Sequence, residues 1–376
     1  MERATSASSE NSPGNVERFA VLDIMRGLAV FLAMVDHVKV QFVPDFHHFI
    51  PLTRLATPCF IILFGAMVEI AYLKKVRSGR PLQAVRERMF ARLITCWGLA
   101  ILLTIAAVVS GNMDFEAGWK SVVGLGLGRF NEIFLIYAAL FAVLIGILPL
   151  ITRFGSASIL AVACIGWALQ PVWPQILGES AYPASFLLGA GNGYGPGLLP
   201  AMTFLGFGLA VGEMLTGRRG PLLPAVVLLI AVVVFAMELS HGPFEAGRRF
   251  LAHRWTNHPG YYAVGILAFA GMACTLMLAH RIKLLRRPLQ VVGIAGTQTL
   301  FIYGAGNLVL NALPMTELPR AVGAPVAILF LAGLIVLALA GPSRRNALGL
   351  GLPAAWGRVY EGFRNAITGR TAPSGQ

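Results

Sequence analysis

Apolar residues run through this chain in blocks of about 18 to 22, and a block of that length crosses the hydrocarbon of a bilayer as a helix. Ten blocks occur, at roughly 20–39, 55–73, 93–110, 132–151, 157–174, 197–215, 222–240, 260–279, 290–311 and 321–341. The pattern predicts an all-α, polytopic membrane protein of about ten transmembrane helices. It also predicts a disordered N-terminal segment (1–19), a transmembrane domain (20–341) and a basic tail (342–376). The first block breaks the pattern: Asp23, Arg26, Asp36 and His37 interrupt it. Such groups cost a few kcal/mol each to insert, so they face a protein interior or a wet cavity. Arg26 and His37 are eleven residues apart. At about 100° per residue they fall within about 20° of registration on one helix face, with a rise of about 16 Å. An imidazole is the side chain best suited to move protons near neutral pH. His37 is therefore the candidate base and Arg26 an anion or dipole clamp. The alternative is that Asp23 and Asp36 neutralise the two as buried structural pairs.

Composition agrees with the block pattern. The chain has 376 residues, 56% of them hydrophobic and 12% charged, with mean hydropathy +0.71. No soluble domain has that balance. Residues 1–17 hold no apolar core, so the first block reads as an uncleaved anchor rather than a signal peptide. The net charge is +13. Its distribution excludes a nucleic-acid footprint. If the N-terminus lies inside, 21 Lys and Arg residues fall on the cytoplasmic side and eight on the other. That bias predicts cytoplasmic N- and C-termini, with Arg26 deep in the membrane and His37 near the outer surface. The densest cluster is a predicted loop, 74–92, with seven basic residues that include Arg88 and Arg92. Cys59, Cys96, Cys164 and Cys274 fall in predicted spans without paired spacing, so no disulfide framework is expected. The outer histidines (His47, His48, His241, His253 and His258) are too scattered to argue for a metal.

Further polar residues recur within or beside the blocks. Glu69 lies on the second, Asn131 and Glu132 open the fourth, and Tyr137 follows. The ninth carries Thr299, Tyr303, Asn307 and Asn311 at four-residue intervals, one stripe of a helix. Glu69, Glu132, Tyr303 and Asn307 are the candidate substrate-binding residues; hydrogen bonding between helices is the competing use. Glu213 and Glu238 sit near block ends, where snorkelling to the interface is expected. The outer segments 111–131 and 175–196 read as loops, the second ending in the glycine string 189–196. Tyr182, Asn192, Tyr194, Trp255, Asn257, Tyr261 and Tyr262 suit either a sugar or an interfacial aromatic belt.

The first block reads Arg18-x3-Leu22-Asp23-x2-Arg26-Gly27-Leu28-Ala29-x7-His37. It resembles the first-helix signature of the acyltransferase-3 superfamily, whose wider clan includes glucan succinyltransferases and heparan-α-glucosaminide N-acetyltransferases. Pro58–Gly65 resembles the clan's second helix, and Gly296–Tyr303 its late Gly-x-x-Ser-Leu-x-x-Tyr stretch. Asn131–Tyr137 is similar to the glucan succinyltransferase branch. The chain differs from the common pattern in having Gly306 where a His often stands, and Arg88-x3-Arg92 where the spacing is often Arg-x2-Arg.

The resemblance implies a bacterial inner-membrane O-acyltransferase. Such an enzyme takes an acyl group, acetyl or succinyl first among candidates, from cytoplasmic acyl-CoA to a hydroxyl or amine of an extracytoplasmic carbohydrate. Acyl-CoA is then a co-substrate, with no permanently bound cofactor. On that reading Arg88 and Arg92 meet the CoA phosphates, Arg26 lines a tunnel, and His37 deprotonates the acceptor or is transiently acylated. Asp36, or Asp23 beneath it, fixes the imidazole tautomer. The competing class is a transporter or flippase for a glycan or lipid-linked sugar. It would show broken helices in matching positions of two halves, and no such pair is evident. A non-catalytic scaffold leaves Arg26 and His37 unexplained. The sequence leaves the oligomeric state open.

Overall fold

A computed structural model describes residues 13–43, 50–126, 128–170, 172, 182–189, 195–240, 242, 254–315 and 318–340. Among these residues every regular element is a helix, and the protein is an all-α, multi-pass membrane protein. The principal helices are α1 (Pro13–Phe42), α2 (Ala56–Val68), α3 (Leu82–Val109), α4 (Glu132–Gly146), α5 (Leu148–Phe154) and α6 (Ser156–Leu169). They continue as α7 (Leu198–Leu215), α8 (Leu222–Leu239), α9 (Pro259–Arg281), α10 (Lys283–Thr297), α11 (Thr299–Ala312) and α12 (Arg320–Leu339). Among the described residues six helices are long and apolar enough to cross a bilayer, or seven if α4 and α5 count as one span bent by 74°. Pro149, in the first turn of α5, starts that helix afresh because it has no N–H to continue the ladder of α4.

Where they are described, the ten predicted blocks overlap helix, but only six or seven of the helices are span-length, the fourth block is the bent pair α4 and α5, and other expectations shift in three further places. Helix α1 begins at Pro13 and not at 20. The ninth block is two helices: at Gln298 the backbone leaves helical geometry (φ −107°, ψ 19°), separating α10 from α11. The basic 74–92 stretch is not a loop. It is a short helix, Lys74–Arg77, a tight turn, and then α3, so Arg88 and Arg92 are helical. In the same way the expected 111–131 loop contains a helix, Phe115–Val122, whose first turn is capped by the Asp114 carboxylate accepting from the Ala117 N–H at 2.7 Å. The glycine string at 190–194, His47, His48, His241, His253 and the basic tail lie outside the described residues. So does the side chain of Tyr182.

Helix α1 is the hub. It packs against α2, α9, α10, α11 and α12. Two crossings depend on glycine. A Cβ on Gly27 would fall on the carbonyl of Val292, and one on Gly296 on the carbonyl of Asp23, which lets α1 and α10 approach backbone to backbone. Gly65 and Gly208 do the same for α2 and α7. In lipid, where no hydrophobic force pushes helices together, such close packing is a main source of association. By contrast, α8 and α12 turn Leu229, Ile230, Met237, Ile328, Leu329 and Val336 outward, as faces toward lipid tails do.

One charged knot holds the Arg77 end of α2. The helix opens into a single π-turn at Glu69–Leu73, and fully buried Glu69 pairs with Arg77, Arg218 and Thr216. Glu213, equally buried, accepts from Ser156 Oγ at 2.5 Å and from Arg218 Nη1 at 2.7 Å. The expectation that Glu213 snorkels is therefore overturned. Two arginines and the first residue of α6 come to the carboxylate, so it need not reach water. Glu238 pairs with His258 at 3.3 Å.

Candidate functional site

The two ends of the polar face of α1 open into two cavities. At the His37 end a cavity of about 220 Å³ is lined by Asp36, His37, Thr53, Arg54, Phe130, Glu132, Arg254, Trp255 and Tyr303, among others. At the Arg26 end a cavity of about 330 Å³ is lined by Arg26, Tyr72, Arg92, Thr95, Tyr137, Thr299 and Tyr303, with mostly apolar walls from α2 and α4. Both residues of this helix face reach a cavity, but Arg26 and His37 line separate chambers, about three turns apart on α1.

His37 is held on three sides. Its ring stacks on Phe130 at 4.3 Å between centroids and meets Tyr303 edge-on at 5.5 Å. Its Nδ1 lies 2.7 Å from Asn307 Oδ1. A carbonyl oxygen only accepts, so Nδ1 carries the proton and donates it, and Nε2 of the neutral ring is left for a substrate. Phe130 occupies the left-handed region (φ 57°), uncommon for a bulky residue and worth roughly 1–3 kcal/mol of strain where it occurs. Arg129 braces this turn from behind, donating to Gln41 Oε1 and lying 5.0 Å over the Phe130 ring.

The tautomer is fixed by Asn307 rather than by either aspartate. Asp36 Oδ1 accepts from Thr53 Oγ1 at 3.1 Å, and the carboxylate pairs with Lys39 at 3.5 Å and Arg54 at 3.6 Å. Neighbours on a helix diverge by about 100°, so Asp36 turns to the 53–54 segment while His37 turns to α11. Asp23 pairs with Arg26 at 3.2 Å, one turn away. The structural pairing is real for Arg26 and absent for His37.

The polar stripe of α11 faces this path. Thr299 and Tyr303 line the Arg26 chamber and Tyr303 also the His37 chamber. Asn307, fully buried, stands behind His37 and not on a cavity wall, so it is misplaced as a substrate ligand. Asn311 joins helices, donating to the carbonyls of Leu103 and Arg129. Glu132 lines the His37 chamber and takes an ion pair from Arg254 at 2.7 Å, while Arg254 Nε donates to the Gly195 carbonyl. Asn131 beside it is structural, bonded to Thr104 and Ser121. Glu69 does not join either cavity, because its carboxylate is consumed by the Arg77–Arg218 knot. Arg92 lines the Arg26 chamber; Arg88, one turn earlier, is exposed and off its wall.

Thr53, Arg54, Phe130 and Arg254 belong to the His37 chamber and were not singled out as site residues by sequence reasoning. Arg54 and Arg254 appear there only as members of the sparser side of the charge count. The adjacency of Arg254 to Trp255, a cation over a ring at 4.9 Å, was the available signal. In this chamber each carboxylate faces a guanidinium, so its charges compensate and its surface is rich in donors and acceptors.

Comparison with known proteins bears on the same helices. No curated protein matches the chain. The family model of the OpgC protein matches residues 18–115. That stretch covers α1 to α3 and supplies Arg26, His37, Arg54, Phe60 and Arg92 to the two chambers. Over this region the chain is similar to the OpgC family, a resemblance that points to membrane glucan acyltransferases.

Proposed function

We propose that this protein is a membrane O-acyltransferase. It transfers an acyl group, acetyl or succinyl, from acyl-CoA on the cytoplasmic side to a hydroxyl or amine of an extracytoplasmic glycan in a bacterial inner membrane. One observation carries the reading: two chambers touch at a common wall, with an imidazole in one and two guanidinium groups, Arg26 and Arg92, in the other. The match to the OpgC family, glucan succinyltransferases, supports it, as does the wider acyltransferase-3 signature around His37.

The chemistry follows from the geometry. The anionic donor enters past Arg92 and lays its acyl arm along the apolar walls of the larger chamber. The acceptor occupies the smaller one, where Trp255 offers a ring face and Glu132, Asp36 and Arg54 offer hydrogen bonds. Nε2 of His37 takes the acceptor hydroxyl's proton while its oxygen bonds to the thioester carbonyl carbon. The C–S bond then breaks, and the departing CoA thiolate recovers the proton from the imidazolium. Asn307 keeps Nδ1 protonated throughout and so keeps Nε2 on duty.

The test is direct. Purified protein in detergent, given radiolabelled acyl-CoA and a glucan oligosaccharide, should label the oligosaccharide. Arg92→Ala should raise KM for acyl-CoA several-fold, and Arg88→Ala less, because only Arg92 borders the chamber. An unchanged KM in both would move the donor site elsewhere. No labelled glycan with any donor would remove the reading.

A further inference from the structure

The two chambers share three lining residues: Phe60 of α2, Ile133 of α4 and Tyr303 of α11. All three are buried, at 3%, 8% and 3% exposure. They differ in chemistry: two are aromatic and one is aliphatic. The Tyr303 ring is met edge-on by Phe60 at 5.8 Å, by Phe134 at 5.2 Å and by His37 at 5.5 Å. The backbone of Phe60 is tied to α4, because Tyr137 donates its hydroxyl to the Phe60 carbonyl at 2.8 Å. Two aromatic walls are thus fixed by rings and by a hydrogen bond. Ile133, one residue after the Glu132 that lines the His37 chamber, is the aliphatic third.

Volume sharpens the point. The larger chamber, about 330 Å³, has room for an acyl arm, yet whatever reacts at His37 must pass or abut this wall. A buried wall shared by a donor cavity and an acceptor cavity can discriminate by size at the residues common to both. One added methylene at a close-packed wall changes discrimination about 10-fold or more.

We propose that Phe60, Ile133 and Tyr303 form the partition between donor and acceptor chambers and that Ile133 sets the length of acyl group the enzyme transfers. This rests on the acyltransferase reading and adds to it a specificity-determining residue. The fixed aromatic pair defines the slot; the aliphatic side chain defines its width. A short acyl group brings its carbonyl carbon level with Nε2 of His37, whereas a longer one is stopped with its carbonyl on the wrong side.

The experiment compares acetyl-, succinyl-, butyryl- and octanoyl-CoA as donors to a glucan oligosaccharide, with wild type, Ile133→Ala, Ile133→Val and Ile133→Phe in detergent. The readout is the ratio of kcat/KM for octanoyl-CoA to that for acetyl-CoA. Ile133→Ala should raise this ratio at least about 10-fold, Ile133→Val should raise it less, and Ile133→Phe should lower it. If Ile133→Ala fails to accumulate, the Val and Phe pair still must move the ratio in opposite directions. Active variants that all keep the wild-type ratio overturn the partition and leave the acyltransferase reading standing. A wild-type protein that transfers no acyl group from any donor overturns both, and that outcome is visible before any variant is made.

Discussion

His37→Ala should lower acyl transfer by at least about 10²-fold, the low end for a positioned general base, while KM for acyl-CoA changes little. The separation of effects follows from the two chambers: the imidazole borders only the smaller one, and the donor is assigned to the larger. Truncation also removes a stacked ring from Phe130 and leaves Asn307 Oδ1 without its donor. An unmet buried acceptor costs about 1–3 kcal/mol, so a change in folding must be separated from a change in chemistry. His37→Gln does this, since it keeps a polar side chain of similar reach but has no basic nitrogen. Both variants should accumulate in the membrane and both should be inactive. Wild-type turnover in either would end the role of His37 as base. Failure of both to accumulate would mean that the residue is structural.

Asn307→Leu should cost about 10²-fold in kcat as well, by a different route. Leucine is close to asparagine in size and offers no acceptor, so the Nδ1 proton has no partner and the ring loses its fixed tautomer and orientation. Disturbing the group that orients a catalytic imidazole lowers kcat by as much as about 10⁴ in hydrolytic triads. Asn307→Asp keeps an acceptor at the same distance and should retain far more activity than Asn307→Leu. It should also shift the pH profile toward higher pH, because an added carboxylate favours the imidazolium. A residue that merely glued α11 to α1 would give equal losses in both variants and no shift in the profile. That result would contradict the assignment.

The sequence was most informative where polar groups interrupt apolar blocks, since a charge inside a membrane needs a reason. Asp23, Arg26, Asp36 and His37 marked α1 as the hub, and the four-residue stripe on α11 pointed at the path. What it could not show was who partners whom. Asp36 adjoins His37 in sequence yet turns to Thr53 and Arg54, whereas Asn307 reaches His37 across 270 positions. In the sequence Glu69 and Glu132 read alike as substrate-binding candidates, and Glu213 as a residue that snorkels from a block end. Arg77 and Arg218 reach Glu69 and Glu213 from the ends of their own helices, and packing of α2 against α7 adds Arg218 to Glu69; Glu132 is paired with Arg254 yet still lines a cavity. Most helix ends were legible to within a few residues; the starts of α1 and α3 lie seven and eleven residues earlier than the apolar blocks, and at Gln298 an unbroken apolar-polar stripe conceals a break in helical geometry. The 74–92 stretch misled for a related reason: basic residues are as good in a helix as in a loop.

Sidedness tests the central claim most directly. Proteoliposomes holding the protein and a lumenal, membrane-impermeant glucan oligosaccharide would receive acyl-CoA on the outside only. Molecules oriented with Arg92 outward and His37 facing the lumen should acylate the trapped glycan, release free CoA outside and lose the activity on His37→Ala. Acyl-CoA left intact while unmodified glycan leaks through the bilayer would contradict the account and identify a transporter instead.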